Sequence, residues 1–187
     1  MVQTRDGVGP ASATEVAVAF VEAYANYDID TAASYLAADV DLSNFDGSVE
    51  GTRGASRWEE ASGFKVLLDS CEERITSAAG VSVRCTYNYH AIRSDEIGLG
   101  PYSGSWFDLT VQDGEIVSVR GNLVFIENRF SAEMWEPFAD WVAENYPDDV
   151  IVMYTGLGQT MNRLTDESVA LWEQRTREYV EYVKDSG

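Results

Sequence analysis

The one histidine of the chain is the first residue whose type suits proton transfer. His90 ends the segment CTYNYH, which alternates as a β-strand does. Imidazole has an ordinary pKa close to neutrality, so His90 can serve as a general acid or base. The alternative is a strand-end histidine that is solvated or hydrogen-bonded in the core.

A carboxylate in the middle of another predicted strand is the second candidate. Asp108 stands between two apolar residues, shortly before Asp113-Gly114. If Asp113-Gly114 is a two-residue turn, Asp108 faces Val119 and is partly buried, and burial would raise its pKa toward that of a general acid or base. The alternative is a structural ion pair with Arg84 or Arg120. A one-residue bulge in the turn would reverse these faces.

The charge of the chain excludes several classes of partner. Thirty-two acidic and thirteen basic residues give a formal net charge of -19. Such a surface repels phosphate backbones and anionic headgroups, so neither nucleic acid nor membrane is expected as a partner. Apolar stretches stay shorter than the ~18 residues of a membrane span, and the first dozen residues do not resemble a signal peptide. The prediction is a cytoplasmic protein.

The two cysteines predict neither a disulfide nor a metal site. With a turn near Ala79-Gly80, Cys71 would face about residue 88 and Cys85 about residue 74, beyond disulfide reach. Zinc sites need closely spaced ligands, which these residues and one histidine do not supply. Phosphate-binding loops and the known nucleophile and zinc motifs are also missing from the sequence. We therefore expect no metal and no cofactor.

Periodicity predicts an α+β fold. Helical spacing predicts helices from Thr14, from Thr31 after a cap at Asp30, and over Ala55–Leu68. Alternation predicts strands at 39–45, 71–78, 81–93, 104–111 and 115–126. The last two are joined by Asp113-Gly114, the strongest hairpin signal in the chain. The expected architecture is a curved antiparallel meander with the N-terminal helices packed in it.

The C-terminal third is predicted to be mainly helical. Ser131 caps one helix and Thr165 opens another. Between them, Val150–Tyr154 is interpreted as an edge strand or a buried turn, and Gly156 and Gly158 as a loop. We divide the chain into a disordered tail, a main domain and a C-terminal helical extension packed on the same domain: 1–13, 14–127 and 128–187.

This order of elements resembles the nuclear-transport-factor-two-like (SnoaL-like) superfamily. Its members include ketosteroid isomerase, scytalone dehydratase, limonene epoxide hydrolase and SnoaL-type polyketide cyclases. The likeness is carried by ATEVAVAFVEAYANYDIDTAASYLAADVDL (Ala13–Leu42) and WFDLTVQDGEIVSV (Trp106–Val119). The resemblance implies a cone-shaped sheet around an apolar cavity, a small hydrophobic ligand and a homodimer formed through the exposed face of the sheet. The C-terminal extension exceeds the compact form of the family and leaves the shape of the pocket open.

The resemblance also implies roles for the candidate residues. SnoaL-type members pair a histidine and an aspartate on neighbouring strands, which here would be His90 and Asp108 as the catalytic residues. Ketosteroid isomerase uses a first-helix tyrosine, a role open to Tyr24 or Tyr27, although aromatic residues on an apolar stripe are usually core. The predicted ligand-binding residues are Tyr24, Tyr27, Trp58, Asn88, Trp106 and Asn122.

Other members of the superfamily are matched less well. The isomerase places its base near Asp41 and Asn44, but the segment DVDLSNFD does not single out one aspartate. The epoxide hydrolase needs an aspartate-arginine-aspartate set, and the strand TYNYH lacks the arginine and aspartate expected there. Epoxide hydrolysis is therefore not expected.

Two classes of function remain. The first is a cofactor-free isomerase, dehydratase or cyclase, in which His90 or Asp108 moves a proton on a small hydrophobic substrate held against Tyr24 and Trp106. The second is a non-catalytic ligand-binding or dimeric assembly module. In that module, four aromatic residues of the C-terminal helices would close the mouth of the cone: Trp135, Phe138, Trp141 and Trp172.

Overall fold

A computed structural model describes residues 11–155 and 161–186 of the chain. The helices are α1 (Ala13–Ala25), α2 (Ile29–Ala33), α3 (Val49–Ser62), α4 (Glu136–Asn145), α5 (Pro147–Met153) and α6 (Asp166–Ser186). The strands are β1 (Leu36–Asn44), β2 (Lys65–Ser77), β3 (Gly80–His90), β4 (Tyr102–Gln112), β5 (Glu115–Asn122), β6 (Tyr154–Thr155) and β7 (Met161–Asn162). Most of the predicted tail and the predicted loop at Gly156 and Gly158 lie outside the described residues. Within the described ranges, no helix combines the length and apolar character of a membrane span.

The main sheet is curved and has the strand order β1-β5-β4-β3-β2. The predicted α+β class is confirmed, with helices on the sheet and a C-terminal helical part. The prediction of a purely antiparallel meander is wrong at one edge, because β1 runs parallel to β5, with Leu36 opposite Ile116. In the chain, β1 and β5 are separated by α3 and strands β2 to β4 and are not joined by a hairpin. No tight turn therefore imposes an antiparallel pairing on them.

The hairpin of β4 and β5 decides which residue lies opposite Asp108. Its two-residue turn is confirmed, because Gln112 pairs with Glu115 across Asp113-Gly114. The register then shifts between Val111 and Thr110, so that Asp108 lies opposite Arg120 and not opposite Val119. The predicted partner was wrong because the extra residue sits in β5, just beyond the turn.

The hairpin of β2 and β3 contains a disulfide between Cys71 and Cys85. The prediction that these cysteines are out of reach is wrong. The turn lies earlier than expected, with Ser77 opposite Gly80, and a register shift between Glu73 and Ile75 moves the pairing by one more residue. Together the two displacements place Cys71 directly opposite Cys85, with their Cα atoms 4.0 Å apart.

The N-terminal helices begin and end at local signals. Ser12 caps α1 and forms a reciprocal capping box with Glu15, so the helix starts slightly before the predicted Thr14. Asp28, and not Asp30, caps α2. The third predicted helix is displaced toward the N-terminus, because Gly63 takes a left-handed conformation (φ +74°) and ends α3 there.

The C-terminal part joins the core through aromatic contacts. Helices begin at Ser131, as a π-helical turn, and at Asp166, close to the predicted starts. The predicted cap at Ser131 is wrong, because Phe130 occupies the N-cap position and Ser131 is already helical. The segment predicted as an edge strand or buried turn is instead α5, followed by the short β6. Trp172 of α6 packs on Trp58 of α3, with ring centroids 5.3 Å apart, and both rings belong to the same contiguous core.

Candidate functional site

A cavity of about 200 Å³ lies between the inner face of the sheet and helices α1 and α3. Seven separate pieces of chain contribute to its wall, and the Asn44 and Leu123 side is solvent-exposed. The lining residues are Tyr24, Asn44, Phe45, Asp46, Glu59, Phe64, Tyr87, Phe107, Gly121, Asn122 and Leu123. The cavity therefore combines aromatic walls with two carboxyl groups.

Glu59 supplies the first carboxyl group. Its Oε1 accepts a hydrogen bond of 2.9 Å from the Tyr24 hydroxyl. Burial raises the pKa of Glu59 to about 8, and the nearby charge of Asp46 adds to this, while the bond from Tyr24 opposes it. Burial also raises the pKa of Tyr24 well above its ordinary value. At neutral pH both groups therefore hold their protons and can donate hydrogen bonds.

Asp46 supplies the second carboxyl group, in the loop between β1 and α3. Its Oδ2 atom is fully buried and has no hydrogen-bond partner among the described residues. Burial raises its pKa, against the opposing effect of a hydrogen bond from Thr52. Gly51 permits this loop to fold tightly, since a Cβ atom there would lie 2.1 Å from the Asp46 carbonyl oxygen. The loop thus holds Asp46 in the wall of the cavity, with one carboxyl oxygen buried and unsatisfied.

Four aromatic rings form one side of the cavity, which we call the aromatic wall: Tyr24, Phe45, Tyr87 and Phe107. Tyr24 lies 5.6 Å from Phe45 and 5.7 Å from Phe107, measured between ring centroids. Tyr87 stacks on Phe107 at 4.6 Å. A side chain at Gly121 would approach Phe45 to 3.1 Å, so glycine leaves room in front of the wall.

This arrangement suits general acid-base chemistry. Two catalytic carboxyl groups can act together when their surroundings give them different protonation states. The ionised group then accepts a proton as the base, and the protonated group donates a hydrogen bond or a proton. Here Glu59 is held protonated beside a phenol, and Asp46 carries a buried oxygen without a partner. The described part of the chain has no cluster of three or more side chains able to hold a metal ion.

The predicted catalytic residues do not line this cavity. The Asp108 carboxylate accepts a hydrogen bond of 2.7 Å from Arg84 Nε, so the ion-pair alternative is the one observed. His90 Nδ1 lies 3.1 Å from both Ser94 Oγ and the Leu99 carbonyl oxygen. His90 stands six residues beyond Arg84 on β3, roughly 20 Å along the strand. The structure does not bring His90 and Asp108 together.

The predicted ligand-binding residues divide into two groups. Tyr24 and Asn122 line the cavity. Trp106 instead lies under the Arg84 guanidinium, 4.2 Å from it, and Asn88 follows the outward alternation of β3. The remaining two have other contacts, since Tyr27 donates its hydroxyl hydrogen to the Phe64 carbonyl and Trp58 packs on Trp172.

Glu59 and Asp46 were missed by the sequence analysis. Thr52, Ser56 and Glu59 follow helical spacing on the inner side of α3, but the first two are polar, so no apolar stripe marked this face. Asp46 belongs to the segment DVDLSNFD, in which the sequence did not distinguish one aspartate. The sequence did contain one signal for Glu59, which is an acidic residue on the same helix face as small polar residues.

No known family profile matches the chain, and no curated protein matches it. Solved structures do. An NTF2-like protein of unknown function from Cytophaga hutchinsonii is 12% identical over 65% of this chain and 96% of its own, with a TM-score of 0.42. A proposed polyketide cyclase from Pseudomonas putida is 16% identical over 63% and 95%, with a TM-score of 0.43. An uncharacterized cystatin-fold protein from Novosphingobium aromaticivorans is 19% identical over 60% and 99%, with a TM-score of 0.40.

Proposed function

We propose that the cavity binds a small molecule and moves a proton on it without a cofactor, as isomerases, dehydratases and SnoaL-type cyclases do. The observation that carries this proposal is the placement of Glu59, Tyr24 and Asp46 around one cavity. Buried carboxyl groups destabilise a fold unless their interactions compensate, so an unsatisfied carboxyl in an open cavity favours a functional role.

Each of the three residues takes a distinct part in the proposed reaction. Asp46 is the base, because its buried oxygen is unpartnered and burial raises its pKa toward the range in which a carboxylate accepts protons well. Glu59 is the donor that stabilises negative charge developing on a substrate oxygen, and Tyr24 positions it by donating a hydrogen bond to its Oε1. The proton removed from a carbon beside a carbonyl passes to Asp46, and the resulting enolate accepts a hydrogen bond from Glu59.

Hydrogen exchange at carbon tests this function before the substrate is known. A panel of compact ketones, some neutral and some bearing an ammonium group, is incubated with the protein in D₂O, and loss of the α-proton signal is followed by NMR. We expect exchange faster than in buffer, and a loss of about 100-fold or more in Asp46→Asn. The matched control is Asp108→Asn, which removes a carboxylate on the outer face and should leave exchange unchanged.

The same assay distinguishes the enzyme from the non-catalytic ligand-binding module. Exchange that Asp46→Asn leaves intact would contradict the assigned base. Exchange no faster than in buffer across the panel, with ligands still bound, would favour a ligand-binding module. His90→Gln gives a further comparison, because a loss of exchange there would return the catalytic role to the residue predicted from sequence.

A homodimer through the outer face of the sheet remains part of the proposal. That face carries Trp106 beneath Arg84, whose ion pair with Asp108 is itself partly buried in the single chain. Partly desolvated aromatic and arginine side chains are enriched in interfaces. Light scattering of the wild type and Trp106→Glu distinguishes a dimer from a monomer, and a wild-type monomer would contradict this part.

The cytoplasmic location also stays a proposal. The Cys71–Cys85 disulfide weighs against a strongly reducing compartment, where structural disulfides are rare. The test is to alkylate the free thiols in the native cell before lysis and to count them by mass spectrometry. Two free thiols would support the cytoplasm, and an intact disulfide would support an oxidising compartment.

A further inference from the structure

We propose that the ligand of this cavity is a compact organic cation, a substituted ammonium group that lies against the aromatic wall with Asp46 and Glu59 beside it. The inference rests on the proposed function, because it names the class of molecule for the same cavity. It departs from the small hydrophobic ligand that the sequence led us to expect.

The ionisable side chains of the described residues around the cavity include acidic groups and no basic group. Asp46 and Glu59 are acidic, and no lysine, arginine or histidine is among the described residues that line it. An anionic ligand would meet two carboxyl groups and no cation. A neutral ligand would leave the Asp46 Oδ2 atom without a partner unless it brought a donor. A cation is attracted to the Asp46 carboxylate by charge even when it brings no hydrogen-bond donor, and the net charge of -19 attracts it from solution.

The aromatic wall supplies the second contact that such a ligand needs. Ring faces carry a negative potential, and substituted ammonium groups bind to them in recognised aromatic sites. Tyr24, Phe45 and Phe107 touch one another at 5.6 to 5.8 Å, so their rings form a continuous surface. The methyl groups of a quaternary ammonium ion can pack on this surface while its charge faces the carboxyl groups.

The size of the cavity restricts the ligand further. Binding sites for drug-sized molecules usually have volumes of ~300–1,000 Å³, and a cavity of ~150 Å³ accommodates benzene. The present cavity is about 200 Å³. It therefore fits a head group such as trimethylammonium with a short polar arm, which the amides of Asn44 and Asn122 at the exposed side can contact.

Cation binding should be coupled to the loss of a proton. The groups that face Glu59 are Tyr24 of α1, Tyr27 just beyond that helix, Asp46 of the loop after β1 and Tyr87 of β3, and none of them is basic. Burial holds the pKa of Glu59 at about 8, so the empty site is largely protonated there at neutral pH. A bound cation favours the ionised form and lowers this pKa, so with a cationic substrate Glu59 keeps the proton that its donor role needs only below the lowered pKa. Affinity for a permanent cation should therefore rise as the pH increases through 8.

A charged probe and its neutral isostere test the inference directly. Choline and 3,3-dimethylbutan-1-ol have the same shape but differ in charge, and choline does not titrate. Each is titrated into the full chain, and the backbone amide shifts of Gly121 and Asn122 are followed by NMR. We expect choline to bind about tenfold more tightly than the neutral alcohol, or better. Its affinity should rise roughly fivefold between pH 6.5 and 9.

Two variants identify the groups responsible. Asp46→Asn should weaken choline binding about tenfold while leaving the alcohol unchanged. Glu59→Gln should abolish the pH dependence. Asp108→Asn removes the same charge from the outer face and controls for the long-range field, so it should behave as the wild type. Circular dichroism of each variant confirms that it is folded.

The outcomes separate this inference from the proposed function. Equal binding of both probes would overturn the cation inference and leave the proton-transfer proposal standing. Absence of shifts with either probe would overturn it as well, and the ketone exchange assay would then decide the proposed function independently. Preferential choline binding without exchange of any ketone would support the cation site and contradict the enzyme.

Discussion

The aromatic interior of the protein has two ends, and only one of them is filled by side chains. At one end, the C-terminal helices fill the space with a packed group that we call the tryptophan cluster: Trp58, Trp135, Phe138, Tyr154 and Trp172. Trp172 there is fully buried and donates its indole hydrogen to the Met153 carbonyl oxygen. At the other end, the cavity remains open between the aromatic wall, Asp46 and Glu59.

The polar atoms left without partners distinguish the two ends. Near the tryptophan cluster they belong to neutral groups, the Trp58 indole nitrogen and the Tyr154 hydroxyl. Leaving a neutral group unsatisfied costs about 1–3 kcal/mol, and a fold can tolerate this amount. At the cavity the unsatisfied atom belongs to a carboxyl group, Asp46, and a second carboxyl lies buried beside it. Unsatisfied carboxyl groups beside an open cavity therefore indicate a functional role. Unsatisfied neutral groups in a filled core are a cost of packing that the fold tolerates.

The largest expected effect is at the filled end. Trp172→Ala removes a fully buried ring and its hydrogen bond, and should lower the free energy of unfolding by about 3–5 kcal/mol in urea titration. Glu181→Ala on the exposed side of α6 is the matched control and should stay within about 0.5 kcal/mol. A loss below about 1 kcal/mol in Trp172→Ala would mean that the cluster is not a packed core and would remove the contrast.

The next effect is at the open end and has the opposite sign. Glu59 has a folded pKa of about 8 against an ordinary value of 4.5, so the native state holds its proton where the unfolded chain has lost it. Stability from this group is complete below about pH 4.5 and is lost as the pH rises to about 8. Glu59→Gln removes that loss. Relative to the wild type it should gain about 2–4 kcal/mol between pH 4.5 and 9.

The difference between the two unfolding curves isolates this residue from the other carboxylates. Urea midpoints are measured for both proteins from pH 4.5 to 9, with Glu60→Gln as the exposed control from the same helix. A flat difference between wild type and Glu59→Gln would show that Glu59 ionises normally. The open end would then be an ordinary solvated surface.

The two ends also differ in how well sequence predicts them. At the filled end, large aromatic residues recur at helical spacing, and the prediction of helices near Ser131 and Thr165 is confirmed. In the sheet and in α3, the deciding features are register shifts and a displaced helix. One shift in β5 placed Asp108 opposite Arg120, and another in β2 brought Cys71 opposite Cys85.

These features are hard to predict because each depends on a single residue of offset. A bulge changes which face a side chain occupies without changing the alternation that predicts the strand. The inner face of α3 was obscured for a related reason. Thr52 and Ser56 are buried there although both are polar, so Glu59 did not stand out as an acid on a buried stripe. Tyr24 was identified because its position on the apolar stripe of α1 does not depend on these offsets.

The substitution Gly121→Ala should change stability least and should still weaken ligand binding strongly. Gly121→Ala places a methyl group 3.1 Å from the Phe45 ring and 3.6 Å from Phe107, in the space in front of the aromatic wall. Phe45 is only half-buried and can move by a few tenths of an ångström, so the change in unfolding free energy should be about 1 kcal/mol or less. The control is Gly54→Ala on α3, where the new methyl group would lie 3.6 Å from Leu164, an ordinary contact outside the cavity.

Choline titration then compares the two variants. Binding should weaken at least about fivefold in Gly121→Ala, because the methyl group and the cation compete for the same ring faces. It should be unchanged in Gly54→Ala, since that glycine does not line the cavity. Equal affinity in both variants would place the ligand elsewhere on the protein. A fivefold loss with little change in stability would show that the space before the aromatic wall is kept open for a ligand, while the tryptophan cluster maintains the fold.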